Sequence, residues 1–428
     1  MPEQLKIDPV REVSGEITLP GSKSLSNRAL LLAALASGTT RLSNLLRSED
    51  TARMIEALEQ LGVGLQLDAA GQTATITGND GLFEPPANTH FFLGNAGTAI
   101  RPLTAVLSLV PGVFRIDGDQ YMHERPIDHL IDALVKLGAE ARYLGKPGCP
   151  PLELTGGKVR GGATELPGNI SSQFLTALLL ALPLAERDST ITVIGEQVSK
   201  PYLDLTLSIM QQFGVHASHD NYQQFHVAAG QQYRSPGHYL IEGDASSASY
   251  FFAAAAIKGG RVRVHGLGVN SVQGDIQFLD VLEAMGAVVK RNETWVDVSR
   301  GQLRGIDMDM NHIPDAAMTI ATLALFAEGP TRIRNIYNWR VKETDRMTAM
   351  ATELQKLGAG VETGADYIVI SPPDQIRSAE IDTYGDHRIA MAFSLAALGN
   401  TSITINNPEC TAKTFPDYFE VFESVCQR

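Results

Sequence analysis

The chain has 428 residues, 44% of them apolar and 19% charged, with a formal net charge of −13. That is the profile of an ordinary globular protein long enough for two or three domains, and its acidity argues against non-specific binding to nucleic acid or an anionic membrane. Three scattered cysteines (Cys149, Cys410 and Cys426) give neither a disulfide framework nor a zinc site.

No apolar run reaches the length of a membrane span. The few cysteines make a reducing cytoplasm the expected location, and the start, MPEQLKIDPVREVSGEI, lacks the basic-then-apolar pattern of a secretory signal. Within residues 1–20, KIDPV and GEITLP read as strands. GSKSLSNRALLLAAL follows from residue 21, a Gly-Ser-Lys-Ser turn opening an apolar helix. It is not a nucleotide P-loop, which needs four residues between its glycines and Lys directly after the second; here five residues separate Gly15 from Gly21 and Ser22 precedes Lys23.

The same turn-and-helix pattern returns as GNAGTAIRPLTAVL from 94, NISSQFLTALLLAL from 169, GDASSASYFFAAAA from 243, IPDAAMTIATLALFA from 313 and GDHRIAMAFSLAAL from 385. Successive starts are 73, 75, 74, 70 and 72 residues apart. A second helix recurs in step from 51, 125, 200, 273, 342 and 413, usually closed by a glycine (Gly62, Gly138, Gly214, Gly286, Gly358) suited to a left-handed cap. Alternating stretches such as TATITG, PLELTG, YIVISP and TSITINN supply the strands. Each unit therefore reads β-α-β-α-β-β, and six units of about 72 residues fill the chain.

The sixth unit stops at its second helix, and residues 1–20 are expected to complete it in space. The predicted organisation is a domain of three units over 21–241 and another over 242–428 plus 1–20, with strand crossings near Pro20 and Ile241 as hinges. The first helices are apolar nearly all round and the second ones on one side only, so the first should be buried and the sheets lie outside. First helices running side by side would gather their N-termini on one face. Two such faces across a hinge would make a cleft favouring anions.

The helix starts carry Lys23, Ser24 and Arg28, then Asn95, Gly97, Thr98 and Arg101, then Ser171, Ser172 and Gln173. Asp244, Asp315 and Asp386 hold the equivalent place in the later units, with Arg388 close behind. Entries to the second helices add Arg125, Lys200, Lys342 with Arg346, and Lys413. Bland readings exist for several: Ser, Asn and Asp are ordinary N-caps, which suffices for Asp244 and could serve for Asp315 and Asp386. Lys200 and Arg101 could be solvated or ion-paired, and Glu343 could be a salt-bridged surface residue. A carboxylate beside an anion site is also what a proton shuttle for a substrate hydroxyl requires. So many cations at equivalent positions of an acidic chain point to a polyanionic ligand bound by both domains.

LPGSKSLSNRALLLAALASG, LGNAGTAIRPL, SSQFLTALLLALPL, EGDASSASYF, DMDMNHIPDAAMTIATLALFA, NIYNWRVKETDRM, GDHRIAMAFSLAAL and CTAKTFPDYF together resemble the EPSP synthase family, from Leu19 to the C-terminus. The resemblance implies a two-domain inside-out α/β barrel of six β-α-β-α-β-β units, with the active site in the interdomain cleft. It implies transfer of the enolpyruvyl group of phosphoenolpyruvate to the 5-hydroxyl of shikimate 3-phosphate, with release of phosphate, no metal or organic cofactor, and glyphosate as an inhibitor. A monomer is expected, with no nucleic-acid or membrane partner.

Carried onto this sequence, the resemblance places shikimate 3-phosphate at Lys23, Ser24, Arg28, Ser171, Ser172, Gln173, Ser199, Tyr202, Asp315, Asn338 and Lys342. Phosphoenolpyruvate would meet Lys23, Asn95, Gly97, Arg125, Gln173, Arg346, Arg388 and Lys413. Two substrates bearing phosphates and carboxylates need surrounding cations, and Arg suits their flat edges. Asp315 is the candidate base for the 5-hydroxyl, and Glu343, helped by Lys23 or Lys413, the candidate for delivering a proton to the methylene carbon. Domain closure would exclude water.

The sister enolpyruvyl transferase acting on UDP-N-acetylglucosamine typically has Cys, sometimes Asp, five residues before the Arg-Pro of its loop; here Gln120 holds that place before Arg125. A non-catalytic six-repeat scaffold would want a basic inner face instead of cations at turns. Both remain alternatives to the shikimate reading.

Overall fold

The computed structural model describes residues 3–427. The chain divides into two compact units, 21–241 and a second made of the N-terminal residues to Pro20 with 242 onward.

The 21–241 unit holds helices α1 (Lys23–Leu35), α2 (Glu49–Gln60), α3 (Gly97–Leu107), α4 (Asp128–Lys136), α5 (Ser172–Ala181) and α6 (Pro201–Gln212). In α1, every residue except Ser24 is buried; α3 and α5 are likewise covered nearly all round. The second helices bury one stripe only: in α2 Asp50, Thr51, Met54, Ala57 and Leu58, in α4 Leu130, Ile131, Ala133 and Leu134. Three four-stranded sheets enclose them, with strands such as Thr39–Ser43 and Thr73–Thr77 alternating an inward buried face with an outward exposed one. Helices lie inside and sheets outside, as the apolarity of the sequence predicts.

The other unit repeats the plan with α7 (Ala245–Lys258), α8 (Phe278–Met285), α9 (Ala317–Leu323), α10 (Arg346–Lys356), α11 (His387–Ser394) and α12 (Tyr418–Val425). In α7 every residue but Lys258 is buried. The five closing glycines have φ between +79° and +109°. After α2, the Gly62 N–H donates to the Glu59 carbonyl at 2.9 Å and the Val63 N–H to the Leu58 carbonyl at 3.0 Å, a Schellman pairing that also closes α4, α6, α8 and α10. The sixth second helix lacks such a glycine: α12 starts only at Tyr418 and runs into a strand, Cys426–Gln427, paired with Glu12–Val13.

The placement of residues 1–20 needs correction. Gln4–Ile7 pairs antiparallel with Ile403–Asn406 and does complete the sixth unit. Gly15–Thr18 instead pairs parallel with Arg261–His265 and supplies the first strand of the fourth unit. Correspondingly, His238–Leu240 pairs parallel with Arg41–Ser43 and opens the sheet of the first unit. Each strand thus serves a helix far away in sequence, not the one that follows it.

Candidate functional site

Each unit assembles its own set of charged side chains at its helix starts. In the 21–241 unit, α1 begins at Lys23 with no side-chain cap on its first N–H groups. The Lys23 ammonium lies 3.4 Å from Asp50, an almost fully buried carboxylate in the first turn of α2. One turn on, the Arg28 guanidinium bonds the Ser24 carbonyl (3.0 Å) and the hydroxyls of Thr206 (3.0 Å) and Thr176 (3.4 Å). It has no acidic partner among the described residues, and burial pulls its pKa down to about 10.

At the start of α3, Arg125 Nη1 reaches the Asn95 carbonyl (3.0 Å) and side-chain oxygen (2.7 Å); among the described residues it again has no carboxylate, and its buried Nε no hydrogen-bond partner. Arg101 binds the Gly97 carbonyl (3.3 Å), Gln173 Oε1 (2.9 Å) and the Pro126 carbonyl (2.8 Å). Gly97 sits under both guanidiniums: a β-carbon there would lie 2.6 Å from Arg101 Nη1 and 2.6 Å from Arg125 Nη2. Its own N–H donates to the Asn95 carbonyl at 3.1 Å. At α5, Ser171 accepts from the Gln173 N–H (3.2 Å) and Ser172 is buried. Ser199, also buried, is in the left-handed region at φ +55° just before Lys200 and α6. Tyr202 is in the first turn of α6, and its carbonyl accepts the Thr206 hydroxyl at 2.7 Å. Lys200 is ion-paired with Glu196 at 3.5 Å.

In the other unit, Arg346, at the start of α10, is the centre of a carboxylate cluster. It reaches Asp386 (2.7 Å), Asp315 (2.8 Å) and Glu343 (2.9 Å), with its side chain 1% exposed. Arg388 meets the other Asp315 oxygen at 3.0 Å, Lys342 lies 3.8 Å from Asp315, and Lys413 lies 3.4 Å from Glu343. Burial alone would raise the Asp315 carboxyl, but Arg388, Lys342 and Arg346 outweigh it and hold it well below the usual carboxylate range. Burial lowers the Lys342 ammonium against the pull of Asp315. Asn338 is buried in the 3₁₀ turn Tyr337–Val341 just ahead of Lys342.

The three aligned aspartates differ. Asp244 caps α7 through the Ser247 N–H (3.1 Å), and Asp386 caps α11 through the Arg388 N–H (3.0 Å) while also holding Arg346. Asp315 caps nothing, since α9 starts from Ala316 without a side-chain bond. Glu343 is buried between two cations, not a surface residue.

The reading of the residues missed Asp50, the Thr176 and Thr206 cradle, and Asp275. Asp275 bonds the Ser246 hydroxyl, and burial, with Asp315 adding repulsion, pushes it up to about 7. Asp50 looks in sequence like any acid complementing a helix N-terminus. For Thr206, the one available signal is its place four residues after Tyr202.

Burying this many ionic groups at helix starts is costly unless ligand charge completes the site. Helices enclosed by sheets, with charged side chains gathered at the helix starts, define a protein of the inside-out α/β class. The family model described as EPSP synthase (3-phosphoshikimate 1-carboxyvinyltransferase) matches residues 7–422, and the chain belongs to that family. A 3-phosphoshikimate 1-carboxyvinyltransferase of Yersinia pseudotuberculosis is 60% identical over 427 residues, covering 100% of both chains. One from Photobacterium damsela subsp. piscicida is 59% identical over 99% of each. Among solved structures, EPSP synthase from Acinetobacter baumannii superposes with a TM-score of 0.84 at 28% identity, covering 99% of this chain and 98% of that one. The enolpyruvyl transferase NikO from Streptomyces tendae, at 20% identity and a TM-score of 0.78, shares the fold.

Proposed function

We propose that this chain transfers the enolpyruvyl group of phosphoenolpyruvate to the 5-hydroxyl of shikimate 3-phosphate, giving 5-enolpyruvylshikimate 3-phosphate and phosphate on the route to chorismate. The observation that carries this is full-length identity of 60% to a 3-phosphoshikimate 1-carboxyvinyltransferase. The same likeness disfavours the UDP-N-acetylglucosamine and scaffold readings.

Both charged sets are assigned to the same substrate pair. Lys23, Ser24, Arg28, Ser171, Ser172, Gln173, Ser199, Tyr202, Asn338 and Lys342 hold shikimate 3-phosphate, whose carboxylate supplies the counter-charge that Arg28 lacks. Lys23, Asn95, Gly97, Arg125, Gln173, Arg346, Arg388 and Lys413 hold phosphoenolpyruvate, and glyphosate competes there. Asp315, kept ionised by its cations, accepts the 5-hydroxyl proton as that oxygen bonds to C2. Glu343 passes a proton from the Lys413 ammonium, 3.4 Å away, to the methylene carbon. The tetrahedral adduct then returns a proton from the new methyl group through Glu343 to Lys413 while the C2–O bond to phosphate breaks, and phosphate leaves with the proton that Asp315 took up. The chain works in the cytoplasm as a monomer.

Proton NMR of the purified protein mixed with phosphoenolpyruvate and either acceptor tests the assignment. Vinyl protons of a new enol ether should appear with shikimate 3-phosphate and not with UDP-N-acetylglucosamine. The reverse result would transfer the chain to the sister reaction.

A further inference from the structure

Glu353 is fully buried in α10, seven residues after Arg346. Seven residues bring a helix back to within about 20°, so both side chains leave the same face of α10. Glu353 Oε1 accepts the Tyr384 hydroxyl at 2.7 Å; Oε2 accepts the Asp382 N–H at 3.2 Å and lies 2.8 Å from Lys356 Nζ. Lys356 in turn bonds the Asp382 carboxylate at 2.8 Å.

These contacts fall on the turn that leads into α11. The Asp386 N–H donates to the Thr383 carbonyl at 2.8 Å, and the central residues Tyr384 and Gly385 have φ of +54° and +68°. Both central residues at positive φ make a type I′ turn, an easy conformation for Gly and a strained one for Tyr. The Tyr384 hydroxyl bond to Glu353 holds that residue in place. Directly after the turn come Asp386, which clamps Arg346, and Arg388, which meets Asp315 at 3.0 Å. One face of α10 thus grips the turn twice: Glu353 on the 382–384 side and Arg346 at Asp386.

We propose that Glu353 is a positioning residue for phosphoenolpyruvate: by tying the 382–384 turn to α10, it sets Asp386 and Arg388 in register with Arg346 and Asp315. This rests on the reading that Arg346 and Arg388 hold phosphoenolpyruvate.

Steady-state kinetics of Glu353→Gln, Tyr384→Phe and Arg388→Lys test it. The Gln amide has one acceptor oxygen where the carboxylate has two, so it cannot accept from both the Tyr384 hydroxyl and the Asp382 N–H. Glu353→Gln should therefore raise the KM for phosphoenolpyruvate roughly tenfold while changing that for shikimate 3-phosphate less than about twofold. Tyr384→Phe should shift the same parameter in the same direction, by less. Equal rises for both substrates, or none for phosphoenolpyruvate in either variant, would overturn the proposal. If Glu353→Gln does not fold, Tyr384→Phe decides alone. Arg388→Lys separates the two levels. If it raises the phosphoenolpyruvate KM while the other variants do not, only the positioning role falls. If it leaves that KM unchanged, the substrate assignment falls and this proposal with it.

Discussion

Arg346 and Asp386 form a two-point pair, Nε to Oδ2 at 2.7 Å and Nη2 to Oδ1 at 3.3 Å, with side chains 1% and 0% exposed. Asp386 also caps α11, so one carboxylate joins the starts of two helices. Removing the Asp386 charge leaves Arg346 to share Asp315 and Glu343 with Arg388, Lys342 and Lys413, so buried positive charge is left in excess. Asp386→Asn should therefore lower stability by about 3–5 kcal/mol, read as a shift of the urea midpoint. A shift within the error of the wild type would show that the pair is not holding the two helix starts.

Arg28 presents the opposite case. It is buried among neutral oxygens with no acidic partner among the described residues. Thr176 and Thr206 lie 3.2 Å apart and can satisfy one another if it is removed. Arg28→Met should then leave the ligand-free protein as stable or more stable, by about 1 kcal/mol, while weakening shikimate 3-phosphate binding at least roughly a hundredfold. Thermal melts with and without that ligand check both halves; a destabilised apo variant would contradict the account.

Gly97→Ala forces the new methyl group onto Arg101 Nη1 and Arg125 Nη2, each 2.6 Å away. Both are flexible side-chain ends, so the fold survives and the guanidiniums move. The KM for phosphoenolpyruvate should rise by roughly tenfold, or about 1.4 kcal/mol, glyphosate should weaken with it, and shikimate 3-phosphate should bind as before. Inhibition and binding titrations would show this; unchanged affinity for both phosphoenolpyruvate and glyphosate removes Gly97 from that set.

Asp315 and Asp275 should bend the pH–stability curve in opposite directions. Asp315 is held below its unfolded value by Arg388, Lys342 and Arg346 despite burial, so its contribution is present above about pH 4 and lost as pH falls below that. Asp275 is pushed up to about 7, chiefly by burial, so the folded state binds an extra proton and stability falls as pH rises from about 4 towards 7. Denaturant titrations across pH should show Asp315→Asn flattening the acid limb and Asp275→Asn flattening the slope approaching neutrality. Unaltered slopes would contradict these environments.

Much of the fold is legible along the chain because its signals are local. All-round apolarity marks the buried helices, and Gly62, Gly138, Gly214, Gly286 and Gly358 mark the ends of their partners. Strand partnership is not local. Nothing in GEIT distinguishes pairing with Ile403–Asn406 from its actual pairing with Arg261–His265, because both offer an alternating edge with the same hydrogen-bonding groups. The cations were legible as departures from apolar helix starts. Of their carboxylate partners, Asp315, Asp386 and Glu343 stand out beside them in the sequence, whereas Asp50, like Glu353 of α10, sits in a sequence typical of a solvated helix face, and only the packing of neighbouring elements shows it buried.

The most direct test is phosphate release on mixing the purified protein with phosphoenolpyruvate and shikimate 3-phosphate, with each omitted in turn. The account predicts rapid release only when both are present, and its loss in Asp315→Ala and Lys413→Ala. Release from phosphoenolpyruvate alone, or none with both substrates, would contradict it.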